Sequence, residues 1–482
     1  MNIKNWRYKK LHSAFLIAWV SAGILFGVWF SLFLPVFNIG IVFISLCLLV
    51  IIFTKQKAYM FVLALVAGLI FGLWRGGAEI LQLSTVQQFY NQKVVLTGKI
   101  IEDVSVGKKK EKQLRLKEVT INSKKAYGQF WVTTQSGVDI KRSDKVTVEG
   151  KLKEGFGSFN GSVSFAKIIK VERIKGEDTA RDVRDWFAAN VREVVKEPQA
   201  SLGIGFLTGQ RSTLPDSLDE QLRIVGLTHI VVASGYNLTI LVRFARRLFV
   251  RYSKYWATVS ASVMICGFVL VTGFSPSMSR AALVTGLSLA AWYYGRKIHP
   301  LVLLLFAAAI TVLINPSFLW GDIGWALSFT AFAGVMLLAP LLLHYFWGSQ
   351  KPRGLSQILV ETTSAQIATL PIIALMFGKY SLLALPANLL VLPFVPLAMV
   401  LTFVAGIFWV FMPTLHVTAI PAEILLSYMI YVVNWLASLP GAQGEINFTA
   451  ITFIVSYIAI ILLGLFLWRK TKHNFREDNI VE

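Results

Sequence analysis

Long apolar runs separated by short polar breaks dominate the chain, and one strand-like stretch interrupts them. Runs long enough to cross about 30 Å of hydrocarbon lie near residues 14–34, 37–53, 58–74, 228–248, 255–273 and 277–295, and again near 299–315, 326–345, 356–377, 383–412, 421–440 and 446–468. This pattern predicts a polytopic α-helical membrane protein of about 12 spans. The first run follows Lys4, Arg7, Lys9 and Lys10, as in a signal peptide, but it is too long for an h-region and reads as a retained first helix.

Between the third and fourth runs the period changes from helical to alternating. Val94, Leu96, Gly98 and Ile100 alternate with polar neighbours, as do Leu114, Leu116, Val119 and Ile121, and then Phe130, Val132, Val146, Val148, Gly150 and Leu152. Five or six short strands with glycine-containing turns predict a small closed β-barrel, OB-fold-like, over residues 85–176. After it, Val183, Trp186, Phe187, Val191 and Val194 form one stripe opposite Arg181, Asp182, Arg184, Asp185 and Arg192. That stripe predicts an amphipathic helix lying along the membrane interface. The expected organisation is a three-span segment (1–80), the barrel (85–176), an interfacial helix and linker (177–225), a transmembrane domain (226–470) and a short tail (471–482).

Composition agrees with this division, since 55% of residues are hydrophobic and only 15% charged. Basic residues cluster in the N-terminus, at Lys55 and Lys57, from Arg243 to Lys254, at Arg296 and Lys297, at Lys351 and Arg353, and from Arg469 to Lys472. All fall on one side of the predicted topology, which the positive-inside rule assigns to the cytoplasm. Both termini are then expected inside and the barrel outside the cell membrane. The barrel segment, residues 90–175, carries 19 Lys and Arg against 9 Asp and Glu. Almost half of the formal charge of +21 therefore sits on a small part of the chain.

A basic barrel with aromatic side chains offers cations for phosphates and rings for unstacked bases. Candidate stackers are Tyr127, Phe130, Trp131, Phe156 and Phe159, and candidate phosphate contacts are Lys108, Lys109, Lys110 and Lys112 at a hairpin tip with Lys124 and Lys125. The competing reading is that some rings fill the barrel core and the lysines only solvate it.

Polar residues inside the apolar half mark a cavity, a helix contact or a pathway. Thr208, Gly209, Gln210, Arg211, Leu214 and Pro215 form a turn-rich segment, followed by Glu220 and Arg223. Gly226, Leu227, Thr228 and His229 then precede Ser234, Gly235 and Asn237, with the serine and glycine placed to break a helix. Pro276 and Pro316 can interrupt spans, and Arg280 stands early in a helix where a phosphate would be held. Asp322 suits either pairing with one of these arginines or capping a helix after Gly321. Glu361, Gln366 and Asn388 are further polar candidates, each also able to hydrogen-bond a neighbouring helix.

Taken in order, Leu207-Thr208-Gly209-x-Arg211, Gly226-Leu227-x-His229 with Ser234-Gly235, Ser275-Pro276-Ser277-x-x-Arg280-Ala281-Ala282, Asn315-Pro316 and Asp322-x-Gly324-x-x-Leu327-Ser328-Phe329 resemble the competence domain of the ComEC family of DNA-internalisation channels. Gln366 with Pro371, then Gly378, Ser381, Asn388 and Pro393, continue the resemblance. It implies a channel that moves single-stranded DNA across the cytoplasmic membrane in natural transformation. Arg211, Arg223, His229, Ser234, Gly235, Asn237, Arg280, Asp322, Gln366 and Asn388 would lie along its pathway. Many members have histidine where this chain has Asn237. Many also continue into a metallo-β-lactamase-like domain, of which these residues show no sign. The six histidines form no His-x-His-x-Asp-His cluster, so no nuclease, metal or cofactor is expected here.

The absence of a Gly-x-x-x-x-Gly-Lys-Ser/Thr loop argues against nucleotide hydrolysis, and Val232 stands where a nucleophile elbow needs glycine. Cys47 and Cys266 lie within spans and read as packed thiols. Not an enzyme, such a channel is expected to work with a cytoplasmic ATPase or helicase, single-strand binding protein and an extracellular DNA receptor or uptake machinery, and any strand degradation would need a separate nuclease. The alternative from another class is a secondary transporter of a small anionic solute, in which broken helices and scattered polar groups are equally expected.

Overall fold

The computed structural model describes residues 13–35, 38, 40–55, 60–107, 109–174, 176–231, 235–273, 275–348, 352, 354–414, 416–473 and 475. Two compact units emerge. One comprises the chain to Glu177 together with Lys297–Ala326, and the other comprises Asp178–Arg296 with Leu327 onward.

In the first unit, α1 (Ser13–Phe30), α2 (Gly40–Lys55) and α3 (Met60–Gln87) precede the barrel, and α11 (Pro300–Ile314) and α12 (Ser317–Gly321) return to it. α1 and α3 touch backbone to backbone through Gly23 and Gly27 on one helix and Gly68 and Gly72 on the other. A Cβ on Gly68 would fall 2.1 Å from the Val20 carbonyl, and one on Gly27 2.2 Å from that of Leu69. This small-residue crossing replaces the hydrophobic drive that helices lack in lipid. Arg75 closes the end of α11, its Nε donating to the Leu313 carbonyl at 2.9 Å while Glu79 holds the same guanidinium at 3.0 Å.

The barrel follows the predicted alternation. β1 (Lys93–Ile100), β3 (Lys112–Ile121), β5 (Phe130–Thr134), β6 (Lys145–Glu154) and β7 (Gly161–Val163) are its staves. They pair in the order β1-β3-β5-β7-β6, and β6 returns to β1 and closes the ring. The β5–β7 pair is parallel and the others antiparallel, an OB-like arrangement. β2 (Ser105–Val106) and β4 (Lys124–Lys125) extend β3, and β8 (Lys167–Glu172) pairs with β6. Leu96, Ile100, Leu114, Leu116, Ile121, Phe130, Val132, Val146, Val148 and Leu152 fill the interior at 1% exposure or less.

The second unit is helical: α4 (Thr179–Val194), α5 (Gln199–Thr208), α6 (Asp216–Ile224), α7 (Thr228–Val231), α8 (Gly235–Phe249), α9 (Lys254–Thr272) and α10 (Pro276–Tyr293), then most of α13 (Ile323–Ala333) with α14 (Ala339–Trp347). It ends with α15 (Gly354–Phe377), α16 (Ala384–Val391), α17 (Val395–Phe411), α18 (Ile420–Ala437) and α19 (Ala450–Thr471), with β9 (Lys379–Ser381) paired to β10 (Gln443–Glu445). Seven helices are long and apolar enough to cross a membrane, at 60–87, 254–272, 323–347, 354–377, 384–411, 416–437 and 450–471, and shorter apolar helices occupy 14–30, 42–52 and 300–314. These coincide with ten of the twelve apolar runs, and the chain is a multi-pass membrane protein. The run at 228–248 instead forms α7 and the amphipathic α8, whose arginines Arg243, Arg246 and Arg247 reduce its apolarity. That at 277–295 forms α10, where Ser279 and Arg280 do the same.

α4 differs from expectation in its orientation. The sequence places Arg181 and Arg184 opposite the apolar stripe, yet both are only 4% exposed, while Val183 and Trp186 are 54% and 52% exposed. Arg184 is drawn inward by Asp185 at 2.9 Å and the Val271 carbonyl at 3.4 Å, and Arg181 is held by Asp182 at 2.7 Å. Phe187 and Val191 do pack inward, on Gly406, where a Cβ would fall 2.8 Å from either side chain. Paired charges go in, and single apolar groups are left to face outward.

Candidate functional site

On the barrel, alternation sorts the aromatic candidates. Phe130 points inward and is 0% exposed, so it is a core residue and cannot stack on a base. Its neighbour Trp131 points outward and joins Phe156 and Phe159, with ring centroids 5.7, 5.1 and 5.4 Å apart. Arg115, opposite Trp131 across β3 and β5, lies over this cluster, 5.6 Å from the Trp131 ring and 5.7 Å from that of Phe159. Glu102 orients the same guanidinium at 2.7 Å. Burial pushes the Glu102 carboxyl up, against the pull of Arg115. Three rings and a stacked cation form a surface on which bases can stack and phosphate can be met. Sequence reasoning missed Arg115, because its value comes from the register that puts it opposite Trp131.

Tyr127 is 45% exposed, with Lys125 Nζ 5.9 Å from its ring. Lys124 and Lys125 form the exposed strand β4. Lys109 and Lys110 lie in an exposed turn after β2, the Lys109 amide donating to Glu111 at 2.8 Å. Lys112 reaches across to the Val138 carbonyl. Lys108 lies outside the described residues.

Asp322 belongs to the first unit, where among the described residues it pairs with no arginine. Its Oδ1 accepts from the Trp325 amide at 2.7 Å, capping α13, and its Oδ2 accepts from Ser158 Oγ at 2.8 Å. Both oxygens are thus committed, one to each expected and unexpected task.

In the second unit the motif residues converge. Asn237, 0% exposed, donates from Nδ2 to the carbonyls of Phe206 at 3.1 Å and Ile230 at 3.2 Å. It therefore ties α5, α7 and α8 together. Expected along the pathway, it is buried and bridges three helices. Ser234 lies outside the described residues. Gly226, at φ +73°, packs on the β9–α16 turn, where a Cβ would fall 2.9 Å from Ala384 and 3.3 Å from Ser381. Its carbonyl lies 3.0 Å from Nδ1 of the exposed His229. Asn388, one turn beyond Ala384, is 5% exposed. Asn388 Oδ1 and Ser381 Oγ are buried with no hydrogen-bond partner among the described residues.

Arg280 forms the second focus. Its Nε donates to Ser328 Oγ at 2.6 Å, and its guanidinium lies 5.3 Å from the Phe332 ring and 6.0 Å from that of Phe329. A Cβ on Gly235 would sit 3.3 Å from an Arg280 nitrogen, so the glycine leaves room for the cation at the head of α8. Ring faces and one hydroxyl hold the charge, and among the described residues no carboxylate hydrogen-bonds it. Arg211 and Arg223 differ in this respect. Arg211 is clasped by Asp219 at 2.6 and 2.7 Å, which raises its already high pKa, and Arg223 is paired with Glu220. Gln366 is half-buried on α15, two residues from the fully buried Ser364, and Glu361 accepts from Gln357 at 2.8 Å.

Among the described residues no three His, Cys, Asp or Glu side chains gather as metal ligands do. The chemistry on offer is that of cations, amides, hydroxyls and rings.

Residues 206–471, which carry Asn237, Gly226, Arg280 and Asn388, match the family described as Competence protein. The chain belongs to the competence-protein family. It is 24% identical over 273 residues to ComE operon protein 3 of Bacillus subtilis (strain 168), an alignment that covers 56% of this chain. It spans only 33% of that relative's length. No solved structure matches the chain.

Proposed function

We propose that the protein is a channel through which single-stranded DNA crosses the cytoplasmic membrane during natural transformation, its OB-like barrel gathering the incoming strand. Membership of the competence family supplies the class. The observation that carries the role of the barrel is the outward cluster of Trp131, Phe156, Phe159 and Arg115 on a segment of net charge +10. The reading includes about twelve spans, an extracellular barrel and cytoplasmic termini, supported by the one-sided distribution of lysine and arginine in the loops. Within the membrane, Arg280 is the cation best placed to take a phosphate, since among the described residues it is held by rings and a hydroxyl and hydrogen-bonds no carboxylate.

The protein is read as a conduit and not as an enzyme. Each phosphate charge moved toward a negative interior costs about 2.3 kcal/mol per 100 mV. Entry of a polyanion therefore calls for work from elsewhere: a cytoplasmic ATPase or single-strand binding protein to pull or ratchet, with a receptor and a nuclease to supply the strand.

The test is equilibrium binding of a labelled single-stranded oligonucleotide to the full chain in lipid nanodiscs at several salt concentrations. Micromolar or tighter binding that weakens steeply with salt, and falls on Trp131→Ala, is expected. No binding at low salt rejects the gathering role and favours a carrier of small anions.

A further inference from the structure

The loop Gly155–Asn160, which joins β6 to β7, uses the two sides of one turn differently. Phe156 and Phe159 meet Trp131 on the ring cluster. Between them Ser158, 6% exposed, donates to Asp322 Oδ2 at 2.8 Å. The backbones reinforce this bond: a Cβ on Gly321 would fall 2.9 Å from Gly157 Cα, and Gly157 itself has φ +60°. The loop is also closed on itself, because a Cβ on Gly155 would lie 1.8 Å from the Phe159 carbonyl. Asp322 is meanwhile the cap of α13 through the Trp325 amide. A hydroxyl-to-carboxylate bond is charge-assisted and directional, and here it ties the ring-bearing loop to the head of an apolar helix.

We propose that Ser158 and Asp322 form a fixed latch that positions the ring cluster for delivery of the strand, as positioning residues and not as part of the surface that binds it. The proposal rests on the reading of the protein as a strand channel. Stacking on aromatic rings is tolerant of sequence and register, so it holds a strand without saying where its end goes. The latch supplies that missing constraint by fixing the rings against the residues at the head of α13, within the same unit. It accounts for a motif aspartate whose two oxygens are both spent inside the protein, and for two glycines that meet without side chains between them.

The experiment uses the full chain, in nanodiscs for strand binding and in proteoliposomes for strand entry. Ser158→Ala removes the latch bond and leaves the rings and the cap on α13 in place. Binding is expected to stay within about twofold of the unsubstituted chain while entry falls by about tenfold, the equivalent of ~1.4 kcal/mol. Unchanged entry overturns the latch. A parallel loss of binding also overturns it, by making Ser158 part of the binding surface. If the unsubstituted chain binds strand and admits none, the channel reading fails instead, and the delivery role of the latch with it. In a second variant, Ser158→Cys with Asp322→Cys in a Cys47→Ser, Cys266→Ser background, the oxidised and cross-linked protein is expected to admit strand at least five times faster than its reduced form, with Asp322→Cys alone controlling for the lost cap. Entry blocked by the cross-link and restored by reduction overturns a fixed latch.

Discussion

Arg280 shows why a single residue type matters at this site. Its guanidinium donates through Nε to Ser328 while its Cζ lies over the Phe332 ring, a combination that a lysine ammonium cannot reproduce. Arg280→Lys is therefore expected to lower strand entry by about tenfold and Arg280→Ala by up to about 100-fold, since hydrogen bonds to charged groups contribute roughly 1.5–3 kcal/mol. Uptake measured at matched protein abundance checks this, and equal activity of the lysine variant would show that only charge is needed. Glu102 gives a pH-dependent counterpart in the barrel. Burial is the largest influence on it and raises its pKa from the usual value of 4.5, so the folded barrel binds that proton more readily than the unfolded chain does. Its contribution to stability is then present at pH below 4.5 and is lost as pH rises through the folded-state value. Glu102→Gln should flatten this fall, seen as melting temperatures that change less between pH 4.5 and 7 than those of the unsubstituted protein.

At the scale of elements, the barrel pattern was legible and the roles of its rings were only partly so. Period-two alternation marked β1, β3, β5 and β6 with their buried faces but not β7 or β8, and Phe130 and Trp131 are adjacent and equally suitable by type, so that only the strand's facing separates core from surface. Phe130→Ala is expected to cost about 3–5 kcal/mol of barrel stability. Trp131→Ala should leave the fold intact and weaken strand binding by about 1–3 kcal/mol. Circular dichroism with binding on the same samples distinguishes the two. The helical elements divide similarly. Apolar length revealed most of the spans, whereas α4 buries Arg181 and Arg184 because Asp182 and Asp185 stand beside them, a pairing that a helical wheel of hydrophobicity ignores. Motif residues were recognisable by their order, but only the folded chain shows that Asn237 is a bridge and that Asp322 answers to Ser158. The crossing of α1 and α3 is another such element. Gly68→Leu would drive a side chain into the Val20 carbonyl, 2.1 Å from the first added carbon, and should separate the pair at a cost of about 1–3 kcal/mol or more, measured as thermal unfolding in detergent.

For the molecule as a whole, charge and membrane potential make opposite demands. A net charge of +21 concentrates a polyanion at the protein, and binding to single strands then loses about 0.7 decades per decade of salt for each phosphate neutralised. A negative interior, however, opposes each phosphate by about 2.3 kcal/mol per 100 mV, so on the proposed reading attraction to the barrel would bring the strand to the membrane without carrying it through. If the protein is the passive channel proposed above, strand entry must respond to the sign of the potential. In proteoliposomes holding only this chain, oriented with the barrel outward, an inside-positive potassium diffusion potential should draw short oligonucleotides in. An inside-negative potential of the same size should exclude them, and single-strand binding protein trapped in the lumen should restore part of the entry by capturing each segment as it emerges. Entry that ignores the sign of the potential would mean that the strand's charge is neutralised throughout its passage, by more cations than Arg280 and its neighbours supply, or that it does not pass through this protein.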